Sequence, residues 1–362
     1  MVGVKTPPTD RIAETGNKIT DNDREESSMI ERIEMKNFTA FDELAIDFVP
    51  GINLFIGDNG TGKTHILKLL YTFQTAEFIR GLHKDFSGKL LRVFLPRDLS
   101  LKRLINRGKG VKKEALFSIT KNGTKHAFTL TGQGMDTKAG IEYFKPDKAV
   151  YIPVKEMLAN APGFRSLYST RETHFEEIYF DIIDKALLPP LKDLTPEKIK
   201  LVNILQKTIG GKTTTKKEEF FLRKKNVEFE FSLVAEGMRK LSLLWILIKN
   251  GALDQNATLF WDEPETNLNP SMLPVVVKIL FGLEQMGVQI FIATHSYPLL
   301  KEFELQQEQH SMRFYNLIKD KDETIRLHSA ESYQALLPNK IAEQFARIYD
   351  LEIERAMGGD NG

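Results

Sequence analysis

The sequence predicts an α/β fold with a mixed central sheet, on three observations. An apolar run, Ile52–Ile56, feeds a glycine-rich turn, and a helical pattern follows with Ile66, Leu67, Leu69, Leu70 and Phe73. A second run, Thr258-Leu259-Phe260-Trp261, ends in Asp262-Glu263. A third, Val288–Ala293, ends in Thr294-His295. Short, wholly apolar strands are buried on both faces, as in a sheet covered by helices.

The glycine-rich turn carries the most specific pattern. Gly57 to Thr64 fits G-x-x-x-x-G-K-[ST], the phosphate-binding loop. Glycines at 57, 60 and 62 let the backbone wrap with its N–H groups inward, and the helix that starts there adds its positive end. Lys63 reaches the outer phosphates and the Thr64 hydroxyl suits Mg²⁺. Asn59, Gly60, Thr61, Gly62, Lys63, Thr64 and His65 are therefore the expected nucleotide contacts. Asp262, at the end of its strand, is the second expected Mg²⁺ ligand, and Glu263 is placed to deprotonate the attacking water. His295 ends a strand of the same sheet, where its imidazole can donate to a γ-phosphate. Ala235-Glu236-Gly237 opens an apolar helix, Leu243–Ile248, shortly before the Asp262 strand; a helix N-terminus with a glycine is an anion site.

Bulk properties narrow the class. At 362 residues the chain exceeds the size at which one core stops growing, so an inserted lobe or two lobes are expected. Lys and Arg number 50 against 49 Asp and Glu, so any nucleic-acid surface must be local. With 0 cysteines, disulfides, cysteine zinc sites and a thiol nucleophile are excluded, which suits a reducing cytosol. Leu243–Ile248 is far too short to span a bilayer and the N-terminus lacks an apolar signal core. A cytoplasmic protein with no membrane partner is expected.

Taken in order, residues 1–28 are polar and read as a disordered leader. Ile30–Met35 and Leu44–Phe48 alternate and predict an N-terminal antiparallel β subdomain before the Ile52 strand. Phe38 and Phe41 between them have two readings: an aromatic edge that meets the adenine, or filling of the core. A helix is expected from about Gly62 to Arg80. The basic stretch from Ser87 to Lys113 is a solvated face or a nucleic-acid surface. Ala115–Thr120 and His126–Thr131 form a hairpin around Asn122-Gly123. Residues 29–153 are taken as the first part of the nucleotide-binding lobe, 154–231 as an inserted, mostly helical lobe and 232–362 as the second part. Within the insert a helix is expected from Glu172 to Leu188, another from Pro196 to Gly210, and then a hairpin, Phe220–Leu222 with Val227–Phe231.

These pieces in this order resemble the ABC-type ATPase superfamily, whose members pair a phosphate loop, a signature helix, an Asp-Glu strand and a terminal switch His. Glu263–Pro270, the Ala235–Arg239 signature and Tyr151-Ile152-Pro153 are most similar to stand-alone RecF/SMC-like ATPases, including OLD-type and AAA-class enzymes found beside effectors in bacterial anti-phage systems. The resemblance covers roughly Ile30 to Ile318. It implies an ABC-ATPase-like P-loop fold and a head-to-tail dimer that sandwiches ATP. In that dimer Gly57 to Thr64, Asp262, Glu263 and His295 bind ATP in one subunit, Ala235 to Arg239, with Gly237 foremost, close on the γ-phosphate from the other, and Asn267–Asn269 cross between them. Two departures stand out. Ala235 occupies the usual serine position, and the glutamine expected before the helical lobe is replaced by Lys155 and Glu156; Gln74 is no substitute. The residues after His295 are too few for a Toprim nuclease, and the helix from Asn339 to Met357 is expected to pack on the ATPase. Any effector, such as a nuclease, is then a separate chain. The leading expectation is an ATP- and Mg²⁺-dependent regulatory ATPase in phage defence; the alternative is a RecF-like DNA-repair ATPase. A transporter subunit and a non-hydrolysing scaffold are weaker readings.

Overall fold

The computed structural model describes residues 29–79, 84–108, 110, 113–137, 143–144, 146–170, 174–307 and 310–358. The leader, Arg80, and Lys109 and Lys112 of the basic stretch lie outside them.

Alternation decides the N-terminal part. β1 (Ile30–Phe38) and β2 (Phe41–Asp47) pair antiparallel, burying Ile33, Met35, Phe38, Phe41, Leu44 and Ile46. β3 (Ile52–Gly57) is buried at every position. It runs into α1 (Lys63–Thr75), then β4 (Phe78–Ile79) and α2 (Lys84–Phe94). The hairpin is present as β5 (Glu114–Lys121) and β6 (Thr124–Thr131), continued by β7 (Met135–Thr137). The helix expected to reach Arg80 stops at Thr75, because Ala76 turns extended and β4 pairs with β8 (Tyr143–Phe144). β9 (Ala149–Ile152) closes this part.

The segment that follows holds α3 (Phe164–Thr170), α4 (Glu177–Ala186) and α5 (Pro196–Ile209), then a three-stranded sheet of β10 (Lys212–Lys216), β11 (Glu219–Lys224) and β12 (Val227–Glu230). α4 begins at Glu177, later than the expected Glu172, and Phe175 remains partly exposed ahead of it. Its acids are used inward: Lys68 pairs with Glu176, Tyr71 donates to Asp181 (2.6 Å), and Lys89 reaches both Asp181 (2.6 Å) and Glu177 (3.2 Å). Arg92 joins Glu177 and Arg103 joins Asp98. Lys89, Arg92 and Arg103 of the basic stretch thus serve ion pairs within the chain.

The remainder alternates helix and strand: α6 (Glu236–Lys249), β13 (Thr258–Asp262), α7 (Leu273–Gln285), β14 (Gln289–Ala293), α8 (Tyr297–Gln306), β15 (Met312–Lys319), β16 (Ile325–Ala330) and α9 (Lys340–Gly358). The central sheet has the order β16-β15-β3-β14-β13-β9, parallel except for β16. The antiparallel sheet has the order β2-β1-β5-β6-β7. Side chains along each central strand divide between two cores. Leu54, Leu259, Trp261 and Ile292 face α6, α7 and α8, while Phe55, Phe260 and Phe291 face α1 and the antiparallel sheet. Asp262 pairs with Ala293, and Ala293 with Phe55, so the strands' C-terminal ends meet at one edge.

Helix α9 differs from expectation. Phe345, Ile348 and Leu351 are about two-fifths exposed, at 41%, 40% and 42%. Its first turns are held by a Tyr297–Phe345 stack, centroids 4.3 Å apart, and by Lys340 on Asp58 (2.9 Å). The helical spacing was real, but beyond those turns the apolar stripe meets solvent.

Candidate nucleotide-binding site

The phosphate loop joins the end of β3 to α1. Gly62 caps the helix at φ +90°, and a Cβ there would lie 2.5 Å from the Phe41 ring, so both backbone and space demand glycine. Thr61 Oγ1 donates to the Asp58 carbonyl (2.8 Å). Lys63 Nζ folds back onto the carbonyls of Gly57 (2.7 Å) and Asp58 (3.0 Å). Burial lowers the ammonium from its ordinary value, against the pull of nearby Glu263 and Asp262. Asp58, Asn59 and Gly60 are exposed at the mouth of the loop.

At the same edge Thr64 Oγ1 donates to Asp262 Oδ2 (2.9 Å), although the two residues are 198 positions apart. The Tyr151 hydroxyl donates to the same oxygen (3.3 Å). Burial raises the Asp262 carboxyl, and its Thr64 bond opposes this. A hydroxyl and a carboxylate converging on one point are the hard oxygen donors that Mg²⁺ prefers. The residues fit the ion.

Glu263 follows with φ +47°, its N–H bound to the Ala293 carbonyl (2.9 Å). Its Oε1 lies 3.2 Å from His295 Nδ1, and its Oε2 accepts from Thr266 Oγ1 (3.2 Å). Nearby, half-buried Glu265 accepts from Thr294 Oγ1 (2.7 Å) while its buried Oε2 has no hydrogen-bond partner among the described residues. Lys63, Thr64, Asp262, Glu263 and His295 are therefore brought together.

The signature residues stand elsewhere. Ala235 is exposed at the N-cap of α6 and offers no side-chain cap. Gly237 packs so closely on the loop after Glu263 that a Cβ would lie 2.6 Å from the Asn267 carbonyl. Glu236 begins the first turn of the same helix.

Two expected contacts are corrected or qualified. Phe38 is wholly buried, its ring 5.8 Å from Phe94 and 5.6 Å from Phe117, so it fills the core and presents no face to adenine. His65 turns its ring toward Phe94 (5.7 Å), and burial with Lys68 nearby holds its pKa down to about 4, so it is neutral. Sequence reasoning gave no role to Glu265, Thr294 and Lys240. Thr294 and Glu265 each lie within two residues of a motif residue, which was the available signal. Tyr151 entered only within Tyr151-Ile152-Pro153, with no contact to Asp262 foreseen.

The family described as "AAA domain, putative AbiEii toxin, Type IV TA system" matches residues 52–301. The chain belongs to this family. Among curated proteins, this AAA-domain chain is similar to the DNA replication and repair protein RecF of Streptococcus suis (strain 05ZYH33), 33% identical over 81 residues, 22% of this chain and 21% of that protein. RecF of Lachnospira eligens is 27% identical over 154 residues, 42% of this chain and 40% of the relative. The chain spans between about a fifth and two-fifths of the length of these relatives. Among solved structures, an SMC head bound to the C-winged helix domain of ScpA superposes with a TM-score of 0.56 at 14% identity, covering 84% of this chain and 98% of that one. A Smc head with an extended coiled coil, bound to the C-terminal domain of ScpA from Pyrococcus furiosus, gives 0.52 at 12% identity, with 88% and 99% covered. The fold is ABC-ATPase-like, as in these SMC heads. No described helix is long and apolar enough to cross a membrane.

Proposed function

We propose that this AAA-domain protein binds ATP with Mg²⁺, hydrolyses it, and does so between two copies packed head to tail. The observation that carries the reading is the Thr64–Asp262 contact with Glu263 held beside it by His295 and Thr266. Lys63 leaves its carbonyl partners to neutralise the outer phosphates. Thr64 and Asp262 would hold the magnesium ion, which supplies further neutralisation of phosphate charge when bound. Glu263 takes the proton of the attacking water, and His295 orients that carboxylate. Ala235, Glu236 and Gly237 approach the γ-phosphate of a second copy through the N-terminus of α6, where backbone N–H groups remain even without a serine. Residues 29–153 and 232–362 form the nucleotide-binding lobe and 154–231 the inserted lobe.

In this reading closure regulates a separate effector chain, in anti-phage defence; the family's description as a toxin of a toxin–antitoxin system supports a regulatory setting. The name of the RecF relatives supports a second reading, ATP-dependent binding of duplex DNA. Salt-sensitive DNA affinity that appears only with ATP would favour the second reading; DNA-independent turnover with no binding at low salt would remove it.

The activity is tested by phosphate release from the full-length chain. Turnover should vanish on chelation of Mg²⁺. Glu263→Gln should keep ATP affinity but lose roughly 10²- to 10⁴-fold in rate, the usual worth of a positioned base. Turnover by Glu263→Gln at the parent rate would refute the assignment.

A further inference from the structure

The chain leaves β9 at Pro153, beside the strand that carries Asp262, because Ile152 pairs with Trp261. Four residues past β9 lies Glu156, whose side chain is 0% exposed. A buried carboxylate needs partners. Its partners include the Leu158 N–H and the guanidinium of Arg239, 83 positions along the chain. Arg239 is in the first turns of α6, two residues after Gly237. Its Nη1 also donates to the carbonyls of Phe231 (3.1 Å) and Val234 (2.6 Å), which gather the run leading into Ala235. One planar fork therefore ties the edge of the central sheet to the turn carrying Ala235 and Gly237.

The next residue makes a second tie. Lys240 is buried and its Nζ donates to the Thr266 carbonyl (2.8 Å). Thr266 Oγ1 in turn donates to Glu263 Oε2 (3.2 Å). Adjacent residues of α6 thus reach both flanks of Asp262-Glu263: Arg239 toward the end of β9, Lys240 toward the loop beyond Glu263. Gly237 against the Asn267 backbone keeps the helix close enough for both.

We infer that Glu156 and Arg239 are positioning residues: their buried pair fixes the Ala235–Gly237 turn relative to Asp262 and Glu263, so that the half of the site offered to a second copy and the hydrolytic half move as one piece. Lys155 and Glu156 stand where a glutamine was expected, and the Glu156 carboxylate is committed to the signature helix. The inference rests on the proposed ATPase reading and adds to it the residues that couple the two halves. Neither residue touches nucleotide in this scheme. Their loss should therefore leave ATP binding by the single chain intact and impair the closed, hydrolysing state.

The test uses the full chain with Glu156→Gln, Glu156→Ala, Arg239→Ala and the double alanine variant. Each is measured for thermal midpoint, affinity for a fluorescent ATP analogue and steady-state kcat and KM. Glu156→Ala and Arg239→Ala should bind the analogue within about twofold of the parent while kcat falls by roughly tenfold or more, the sign of an interaction realised only in the reacting state. The double variant should be no worse than the worse single one, because the two act as a unit. Glu156→Gln keeps an acceptor for Arg239 and should recover most of the lost kcat. It also keeps the inference open to refutation should the alanine variants fold poorly. Parent-like kcat in Glu156→Ala, or equal losses of analogue affinity and kcat in Glu156→Gln, would overturn the inference alone. A parent chain with no ATP turnover would instead overturn the proposed function on which it rests.

Discussion

Glu263 holds φ +47° directly after the last residue of β13. For a residue with a Cβ this left-handed conformation costs about 1–2 kcal/mol, and such strain persists where surrounding bonds over-determine it. Here the N–H bond to Ala293 and the side-chain contacts to His295 and Thr266 do so. Glu263→Gly should therefore raise stability by about 1 kcal/mol in denaturant titration while abolishing turnover. A less stable glycine variant would show that the backbone stores no strain there. The place of this residue beside Asp262 and the phosphate loop was legible, because an acid pair ends an apolar strand of the same sheet. Its strain was not, since φ is imposed by the loop around it. Phe38 shows the reverse problem. An aromatic residue near a nucleotide loop reads equally as ligand contact or core, and only its packing against Phe94 and Phe117 decides.

Each central strand owes its place to what it buries on its two faces. Phe260 in β13 lies 5.1 Å from Phe291, 5.9 Å from Tyr71 and 6.4 Å from Tyr151, centroid to centroid, and is wholly buried. Phe260→Ala should cost about 3–5 kcal/mol in urea unfolding, from lost burial and the cavity left behind. A loss well below that range would mean that α1 is not seated on this face. Apolar runs bounded by polar motif residues made β3, β13 and β14 readable. The end of α1 was harder to read, because Ala76 to Ile79 leaves the helix only to meet β8, a pairing no local pattern announces. Glu176 at the N-cap of α4 and the acids within α4 bind Lys68, Lys89, Arg92 and Tyr71, which come from distant parts of the sequence, so no local pattern announces these pairs.

Across the whole molecule the proposed function builds the site from two unlike halves. The sheet edge gathers Lys63, Thr64, Asp262, Glu263 and His295, while Ala235 stands exposed at the start of α6. Both groups of residues were legible as motifs in the sequence; their union across two chains belongs to the proposed function. The exposed stripe of α9 was not legible, because helical spacing alone does not say what lies opposite. If the halves are completed by a second copy, two defective chains can repair each other. Glu263→Gln disables the hydrolytic half. Ala235→Glu, at an exposed position that the fold tolerates, sets a negative charge against the γ-phosphate. Each variant alone should be inactive while still binding ATP. Mixed in equal amounts, they should recover about a quarter of the parent rate, because half of the twofold dimers are mixed and each mixed dimer keeps one intact site. No recovery on mixing, with both variants folded and binding ATP, would contradict a site shared between two chains.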